Sequence, residues 1–336
     1  MSVRNSVTAI RDIVPHSVMP EPTNRCNSRC VFCPQAGLKR QRGDMSFDIY
    51  RTIVDQAAEA GSKRIMLYWM ADPLGDTLII RKTEYAASKG LAVFISTNGA
   101  QLTPDLCESL IESGLDGIRF SVEGTNSKVY GQIRRGLKYE STALNLQTFF
   151  RLKRERDCDT PRTEMRTVFM ESTRDTMADY IRMWRDSCDQ IDIASTANWA
   201  GSIDHDLRRN AEKKEILRDP CGKLWQLMCL SWEGVASPCF FDYDIKYPLG
   251  SIRDRSLLEL YNHGLLVELR QMHLAGEYSA HPLCADCDEN VSFKDNPTLV
   301  LEDPKGKKII LERHNERDRE DIMKAIPPEY GYAVVP

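Results

Sequence analysis

Long hydrophobic runs are absent from this sequence, although 42% of its 336 residues are hydrophobic. A membrane-spanning helix needs about 20 apolar residues in a row, so the apolar residues are expected to form a core instead. Residues 1–14 also lack the basic stretch followed by an apolar stretch that marks a secretory signal. These two absences predict a cytoplasmic protein that has no membrane partner.

The chain also has no excess of positive charge. It contains 45 Lys and Arg residues against 49 Asp and Glu residues, which gives a formal net charge of −4. Nucleic acids and anionic membranes attract basic surfaces, so no nucleic-acid partner is expected. Internal repeats and low-complexity segments are missing as well, and the length suits one large domain and one small domain.

Cysteine, by contrast, is abundant, with eleven residues. In a reducing compartment, clustered cysteines indicate metal binding rather than disulfide bonds. Cys26, Cys30 and Cys33 have the spacing C-x3-C-x2-C and follow an extended segment, 17–23, whose two prolines oppose a helix. Three thiolates can bind three irons of a [4Fe–4S] cube and leave the fourth iron open. A zinc site or three unrelated thiols are the alternatives, although no histidine follows at zinc spacing.

Short apolar strands alternate with longer amphipathic helices up to about residue 200. This alternation predicts an α/β fold with parallel strands, outer helices and functional loops at the carboxyl ends of the strands. A partial (β/α)6 TIM-like barrel and a doubly wound sheet both fit it. The predicted strands are Ser17–Glu21, Arg64–Tyr68, Ala92–Ser96, Gly117–Val122, Met165–Met170 and Gln190–Ser195. The predicted helices are Phe47–Ala60, Leu78–Ser88, Pro104–Ser113, Tyr139–Lys153 and Thr176–Ser187.

The pattern changes after the sixth strand. The chain divides into an N-terminal arm over 1–16, a barrel over 17–205, a charged linker over 206–220, a small α+β domain over 221–290 and a C-terminal tail over 291–336. Further elements are a hairpin of Gln226–Ser231 and Val235–Pro238 with Gly in the turn, a helix over Ser256–Ala275, and a strand at Ile309–Leu311.

A second group of cysteines lies in the small domain and comprises Cys221, Cys239, Cys284 and Cys287. A C-x2-C pair with two further cysteines suits a tetrahedral zinc ion. The same four thiolates also suit a fully ligated [4Fe–4S] cluster. Cys107 and Cys188, in helical patterns, are interpreted as thiols without a function, and Cys158 lies in a polar loop.

The first triplet, together with Phe32, resembles the signature of the radical S-adenosylmethionine (radical SAM) superfamily. This resemblance implies that the open iron binds the amino and carboxylate groups of SAM. It also implies that an electron from the cluster cleaves SAM to a 5′-deoxyadenosyl radical, which abstracts a hydrogen atom from a substrate. A partial (β/α)6 barrel and a reducing partner such as flavodoxin or ferredoxin are further expectations from the resemblance.

The second group resembles the auxiliary-cluster domain called SPASM, or its shorter form called twitch. The resemblance rests on Gly234-x3-Pro238-Cys239, Gly250 and Cys284-x2-Cys287. It implies a second [4Fe–4S] cluster held by the four cysteines of the group. No cysteine follows Cys287, so the match is to the form with one auxiliary cluster. A cluster with four protein ligands cannot bind SAM or substrate, and it is expected to carry an electron or to shape the pocket.

Several short motifs resemble the family's SAM-binding turns at the ends of successive strands. Met70-Ala71-Asp72-Pro73 takes the place of a Gly-Glu-Pro-like motif and departs from it at two positions, while Ser96-Thr97-Asn98-Gly99 resembles the family's S-T-N-G turn. The alternative for these motifs is that they are ordinary turns. For Arg166, the alternative is a position outside the barrel. The expected SAM contacts are Phe32, Ala71, Asp72, Ser96, Asn98, Ser121, Arg166, Asn198 and Trp199.

The expected reaction follows from the resemblance and from what surrounds the barrel. A cobalamin-binding domain and a separate peptide-recognition domain have no room before residue 17, which argues against methyl transfer and mildly against peptide maturation. The expected substrate is a small polar molecule, as for the dehydrogenases of aminocyclitol antibiotic biosynthesis. Dehydrogenation, epimerisation and radical decarboxylation of a sugar acid are the expected outcomes. A peptide maturase and a zinc-stapled binding protein are the alternatives.

Substrate chemistry also needs a base or a hydrogen donor. Cys229, in the hairpin beside the second cysteine group, is a candidate donor to a substrate radical, and a small core residue is the alternative. The other candidates are Tyr68, Glu123, Arg134, Arg135 and Glu171. The sequence does not order them.

Overall fold

One large sheet organises the chain, and the computed structural model describes residues 9–11, 14–203, 216–289, 291–293, 298–312, 314 and 316–334. Most of the predicted linker over 206–220 and of the predicted arm over 1–16 lies outside the described residues. The boundaries of the predicted domains stay a prediction for this reason.

The sheet has twelve strands within the described residues, in the spatial order β9-β8-β7-β1-β2-β3-β4-β5-β6-β11-β10-β12. The strands are β1 Ser17–Pro20, β2 Arg64–Leu67, β3 Ala92–Thr97, β4 Gly117–Ser121, β5 Arg162–Val168, β6 Gln190–Ala194, β7 Leu227–Leu230, β8 Val235–Ser237, β9 Gly250–Ser251, β10 Leu299–Glu302, β11 Lys308–Glu312 and β12 Gly331–Val334. The first six pair in parallel and in chain order. The six predicted strands are therefore confirmed, and their carboxyl ends share one edge.

Helices connect the first six strands as crossovers, as parallel pairing requires, and further helices lie in the rest of the described chain. They are α1 Phe47–Glu59, α2 Ile79–Ser88, α3 Pro104–Glu112, α4 Ser127–Ile133, α5 Tyr139–Glu155, α6 Glu171–Arg174, α7 Met177–Trp184, α8 Lys223–Gln226, α9 Leu257–Tyr261, α10 Gly264–Ala275, α11 Pro282–Ala285 and α12 Glu316–Ala325. Short 3-10 helices lie at Pro34–Gly37 and Pro73–Gly75. None of the helices in this described part is long and apolar enough to cross a membrane.

Local side-chain chemistry sets where the barrel helices begin. The hydroxyl of Ser46 accepts a hydrogen bond from the amide of Ile49 at 3.3 Å, which caps α1. The hydroxyl of Thr103 accepts from the amide of Leu106 at 3.2 Å, and Pro104 occupies the first turn of α3. Both caps satisfy amides that have no partner inside the helix.

The helix predicted over Ser256–Ala275 is wrong in one respect, because the chain forms two helices, α9 and α10, with a break at Asn262-His263. The side-chain amide of Asn262 donates to the carbonyl of Arg11 at 2.7 Å, which fixes the break. The imidazole of His263 accepts from the amide of Leu265 at 3.3 Å and caps the second helix. Side chains that bond to the local backbone compete with the helical ladder, and apolar spacing does not report this.

The sheet also continues beyond the six predicted strands on both sides. Strand β7, from the hairpin of the small domain, pairs in parallel with β1. At the other edge β11 pairs in parallel with β6 and carries β10 and β12. The predicted strand at Ile309–Leu311 is thus part of the sheet that holds the barrel. The C-terminal tail completes that sheet.

Candidate active site

The first cysteine loop leaves the carboxyl end of β1, as the sequence predicts. Its short strand Arg29–Cys30 pairs antiparallel with Arg134–Arg135, and the amide of Val31 donates to the carbonyl of Ile133 at 3.0 Å. The amide of Cys33 donates to the carbonyl of Cys30 at 3.2 Å, which tightens the turn between them. The three thiols are free and partly exposed, and they lie on the edge where the parallel strands end.

A buried ion pair supports this loop from below. The Arg134 guanidinium forms two contacts with the Glu123 carboxylate, one of them at 3.1 Å, and donates to the Sγ atom of Cys30 at 3.6 Å. Both charged residues are buried. The sequence offered Glu123 and Arg134 as groups that act on substrate, whereas the structure sets them against the cysteine loop. Arg135 and Glu171 are exposed and do not line the main cavity.

The second cysteine group is held by bonds from neighbouring elements. The Arg218 guanidinium donates to the carbonyls of Cys284 and Cys287 at 2.7 and 3.1 Å. The amide of Cys221 donates to Nδ1 of His273 at 3.1 Å. The amide of Phe241 donates to the Sγ atom of Cys239 at 3.4 Å.

The thiols in both groups suit a bound iron–sulfur cluster. Burial, together with charge on Cys30 and Cys26, raises the pKa of Cys33 to about 12. Burial also raises the pKa of Cys239, to which charge on Cys221, Cys284 and Cys287 contributes. Thiolates this close repel one another without a cation, and amide donors to sulfur stabilise their charge. Among the described residues, no three His, Cys, Asp or Glu side chains converge on a site for a single metal ion.

Asp72 joins the turns after β2 and β3. Its buried carboxylate accepts from the Thr97 hydroxyl at 2.9 Å, from the amide of Asn98 at 2.6 Å and from the amide of Leu74 at 3.1 Å. Burial raises its pKa, and these bonds oppose the rise. Asp72 therefore shapes the turn that the sequence assigned to SAM, and its own oxygens are occupied by the protein.

Two asparagines link the turns to the cysteine loops. The side-chain amide of Asn98 donates to Oδ1 of Asn27, between Cys26 and Cys30, at 2.8 Å. The side-chain amide of Asn198 donates to the carbonyl of Asp286, in the Cys284–Cys287 loop, at 2.6 Å. Neither asparagine lines the main cavity, and neither does Ala71 or Asp72. The direct roles predicted for these four residues in SAM binding stay predictions.

A cavity of about 590 Å³ opens where the parallel strands end. Of the residues that the sequence singled out, it is lined by Phe32, Cys33, Tyr68, Ser96, Ser121, Arg166 and Trp199. The sequence missed several others, namely Arg119, Lys223, Phe240, Glu289 and Glu312. Lys223 and Glu289 each lie two residues from a cysteine of the second group, and this proximity in the sequence was the one feature that could have predicted them. Glu312 comes from β11, and only the sheet topology brings it to the site.

Trp199 connects the two cysteine regions across this cavity. Its indole donates to the carbonyl of Phe32 at 2.9 Å, and its ring stacks on Phe240 with centroids 5.3 Å apart. Its backbone has φ = +50°, a left-handed conformation that costs a residue with a large side chain about 1–3 kcal/mol. The hydrogen bond and the stacking offset this cost and fix the ring in the cavity wall.

Cys229 lies on β7 and is completely buried. It packs with Met19, Trp69 and Met70, and its Sγ atom is 4.0 Å from the Met19 sulfur. Burial raises the pKa of its thiol far above the usual range. Cys229 does not line the cavity, whereas Leu227 and Met19 do. This position matches the alternative of a core residue more closely than that of a hydrogen donor.

Arg166 belongs to a charged network in the cavity wall. It contacts the Asp192 carboxylate closely and lies 3.1 Å from Oε2 of Glu312. Arg119 lies 3.8 Å from the same Asp192 carboxylate and 2.6 Å from Glu164. Burial raises the pKa of Asp192 to about 7, against the lowering by Arg166.

This pKa makes stability depend on pH. A carboxyl group whose pKa is higher in the folded state stabilises the protein below its unfolded value, about 4, and loses that contribution as the pH rises through about 7. We expect the free energy of unfolding of the wild type, relative to Asp192→Asn, to fall between pH 5 and pH 8 in urea titrations. Asp189→Asn is the control, since hydrogen bonds from Thr163 lower the pKa of Asp189 despite its burial. An equal pH slope for both variants would contradict the prediction.

Comparison with known proteins places this site in a family. The radical SAM superfamily profile matches residues 21–182, and the profile of the SPASM iron–sulfur cluster-binding domain matches residues 221–288. The chain therefore belongs to the radical SAM superfamily and carries a SPASM domain. The two domains imply SAM and two [4Fe–4S] clusters as cofactors, and the predicted α/β partial barrel is confirmed.

Relatives within the family have diverse activities. The cofactor-modifying protein for the tungsten-containing aldehyde ferredoxin oxidoreductase of Pyrococcus furiosus is 22% identical over an alignment of 313 residues, and the match covers 80% of this chain and 85% of that protein. The AdoMet-dependent heme synthase of Methanosarcina barkeri is 29% identical over 121 residues, 36% of this chain and 34% of the relative. The PqqA peptide cyclase of Rhizobium meliloti is 28% identical over 120 residues, with coverage of 35% and 32%. The chain thus matches about a third of the length of the latter two.

Solved structures share the fold at low sequence identity. BtrN in complex with AdoMet and 2-DOIA superposes with a TM-score of 0.58 and 18% identity, covering 84% of this chain and 96% of BtrN. SuiB of Streptococcus suis, bound to the precursor peptide SuiA, gives a TM-score of 0.64 and 14% identity, with coverage of 82% and 70%.

Proposed function

We propose that this radical SAM enzyme oxidises a small polar molecule, similar to a carbohydrate or an aminocyclitol, at a carbon that carries a hydroxyl group. One observation carries the proposal. The wall of the main cavity contains Cys33 of the first cysteine group, and it also contains residues that neighbour Cys221, Cys239 and Cys287 in the sequence. A substrate in this cavity would lie between the two cluster sites.

The size and charge of the cavity support a small polar substrate. A volume of about 590 Å³ lies within the usual range for pockets that bind one small ligand, and here SAM and substrate would share it. Arg119, Arg166, Lys223, Glu289 and Glu312 line the cavity and match hydroxyl, amino or carboxylate groups. An ammonium group of Lys223 lies 2.8 Å from Glu289.

The proposed chemistry divides between the cofactors and the side chains. When bound, SAM and its cluster supply the radical that removes one hydrogen atom from the substrate carbon, and the second cluster takes up one electron. Glu312 is the proposed base for the hydroxyl proton, and Tyr68 is proposed to orient that hydroxyl. Ser96, Ser121, Arg166 and Trp199 are the proposed SAM contacts in the cavity wall. The substrate loses two hydrogens overall and becomes a ketone.

The other outcomes weighed from the sequence have less support. Epimerisation through Cys229 would need the thiol at the cavity surface, whereas Met19 and Trp69 cover it. Decarboxylation of a sugar acid remains compatible with Arg119 and Arg166, which suit a carboxylate. A peptide substrate is the second candidate, because the PqqA peptide cyclase and the peptide-bound SuiB resemble this chain.

Substrate-dependent formation of 5′-deoxyadenosine tests the proposal. Anaerobically reconstituted protein should form it faster with hydroxylated carbocycles or sugars than with synthetic peptides. A productive substrate deuterated at the carbinol carbon should transfer its deuterium to 5′-deoxyadenosine and give a ketone that has lost this deuterium and one hydrogen. Mass spectrometry measures both. Stimulation by peptides alone would replace this function with peptide modification, and a product in which one hydrogen has replaced the deuterium would indicate epimerisation.

A further inference from the structure

A second cavity lies at the opposite end of the barrel from the cysteines. It has a volume of about 240 Å³. Arg64, Gly117, Arg162 and Gln190, the first residues of β2, β4, β5 and β6, line it. It therefore lies where the parallel strands begin, and we call it the lower cavity.

The lower cavity carries an excess of positive charge. Three arginines line it, Arg64, Arg119 and Arg162, against two acidic residues, Glu164 and Asp189. Both carboxylates are already engaged. Glu164 lies 2.6 Å from Arg119, while Asp189 accepts from the amide and the hydroxyl of Thr163 at 2.7 and 2.8 Å. Positive charge that the local acids do not neutralise favours an anion in the cavity.

Arg64 is held in place for such a ligand. Its guanidinium lies 4.4 Å from the centroid of the Phe94 ring, a cation–π arrangement. A side chain at Gly117 would come within 2.5 Å of that ring, so the glycine gives the ring its space. The Nε atom of Arg64 is buried and has no hydrogen-bond partner. A buried donor without a partner is costly and indicates an acceptor that completes the site.

We propose that the lower cavity binds a small oxyanion, a carboxylate or a phosphate, through Arg64 and Arg162. Guanidinium groups bind both oxyanions in a bidentate manner. Met66, Tyr68 and Arg119 line this cavity and the main cavity alike. An anion in the lower cavity thus adds negative charge beside Arg119, which links the site to the substrate end of the barrel.

Calorimetric titration of the full-length protein tests the site. Inorganic phosphate and succinate are titrated separately, and the comparison tells whether the site prefers a phosphate or a carboxylate. Saturable binding is expected for the wild type. Arg162→Gln and Arg64→Gln should each raise the Kd about tenfold or more, since a charge-assisted hydrogen bond is lost. Arg162 is exposed, so its variant should keep the wild-type Tm, which guards against a folding defect.

Two matched variants locate the anion. Arg151→Gln changes an exposed arginine on α5 that pairs with Glu155, and it should leave the Kd unchanged. Arg166→Gln changes the main cavity and should also leave the Kd unchanged. Absence of saturable binding to the wild type would overturn the proposal. So would a larger loss from Arg166→Gln than from Arg162→Gln, because the anion would then occupy the main cavity.

Discussion

Replacing Cys239 with serine is expected to reduce product formation at least about a hundredfold while 5′-deoxyadenosine is still produced. Serine oxygen is a poor substitute for thiolate at an iron–sulfur site. Cys239 shares its surroundings with Cys221, Cys284 and Cys287, and Phe240 and Phe241 directly after it line the main cavity. The first cysteine loop is a separate element, so its chemistry should survive the change.

Iron content gives a second readout for this variant. Two cubes of four irons predict about eight irons in the wild type and about four in Cys239→Ser. Cys158→Ser is the matched control, because Cys158 is a partly buried thiol that belongs to neither cysteine group. It should keep about eight irons and full turnover. Wild-type turnover in Cys239→Ser, with half the iron lost, would remove the second cluster from the proposed reaction.

Replacing Asp72 with alanine should lower the free energy of unfolding by about 3 kcal/mol and weaken SAM binding at least about tenfold. The change leaves the buried amides of Asn98 and Leu74 and the Thr97 hydroxyl without their acceptor. Asn98 in turn contacts Asn27 in the first cysteine loop. One carboxylate thus maintains the relative positions of three segments around the proposed SAM site.

Two further variants separate the role of Asp72 as a hydrogen-bond acceptor from a general effect of losing a negative charge. One is conservative at Asp72, and the other removes a carboxylate elsewhere in the chain. Asp72→Asn retains one acceptor oxygen and should give intermediate values for both quantities. Asp105→Ala removes an exposed carboxylate from the first turn of α3 and should change neither by much. Chemical denaturation and calorimetry with SAM provide the measurements. Equal results for Asp72→Ala and Asp105→Ala would disprove the role.

Features that depend on neighbours in the chain were predictable. Alternating residues such as Val93 and Ile95 point into one buried layer, so period and composition predicted six strands. The caps at Ser46 and Thr103 follow from a hydroxyl before an amphipathic helix. Spacing alone also grouped Cys26, Cys30 and Cys33, since metal ligands on one loop lie close in the sequence.

Features that depend on the tertiary arrangement were not predictable. The sequence makes Glu123 and Arg134 candidates for substrate chemistry because a base or a cation is needed near the hydroxyl, yet they form an ion pair and Arg134 contacts Cys30. Glu312 reaches the cavity only because β11 pairs with β6. Residues that are far apart in the sequence make such contacts. The spacing of apolar residues within one segment does not predict which strand edge a distant segment will pair with.

The covering of both sheet edges by the last third of the chain has a consequence for biosynthesis. Ser17 of β1 pairs with Leu227, and Gln190 of β6 pairs with Lys308. At typical synthesis rates, β7 leaves the ribosome on the order of ten seconds or more after β1, and β1 has no partner on that edge during this time. Unpaired strand edges promote aggregation. The edges of the nascent barrel are exposed during synthesis, and chaperones would need to bind them. The second cysteine group, moreover, is complete only once Cys287 has been synthesised.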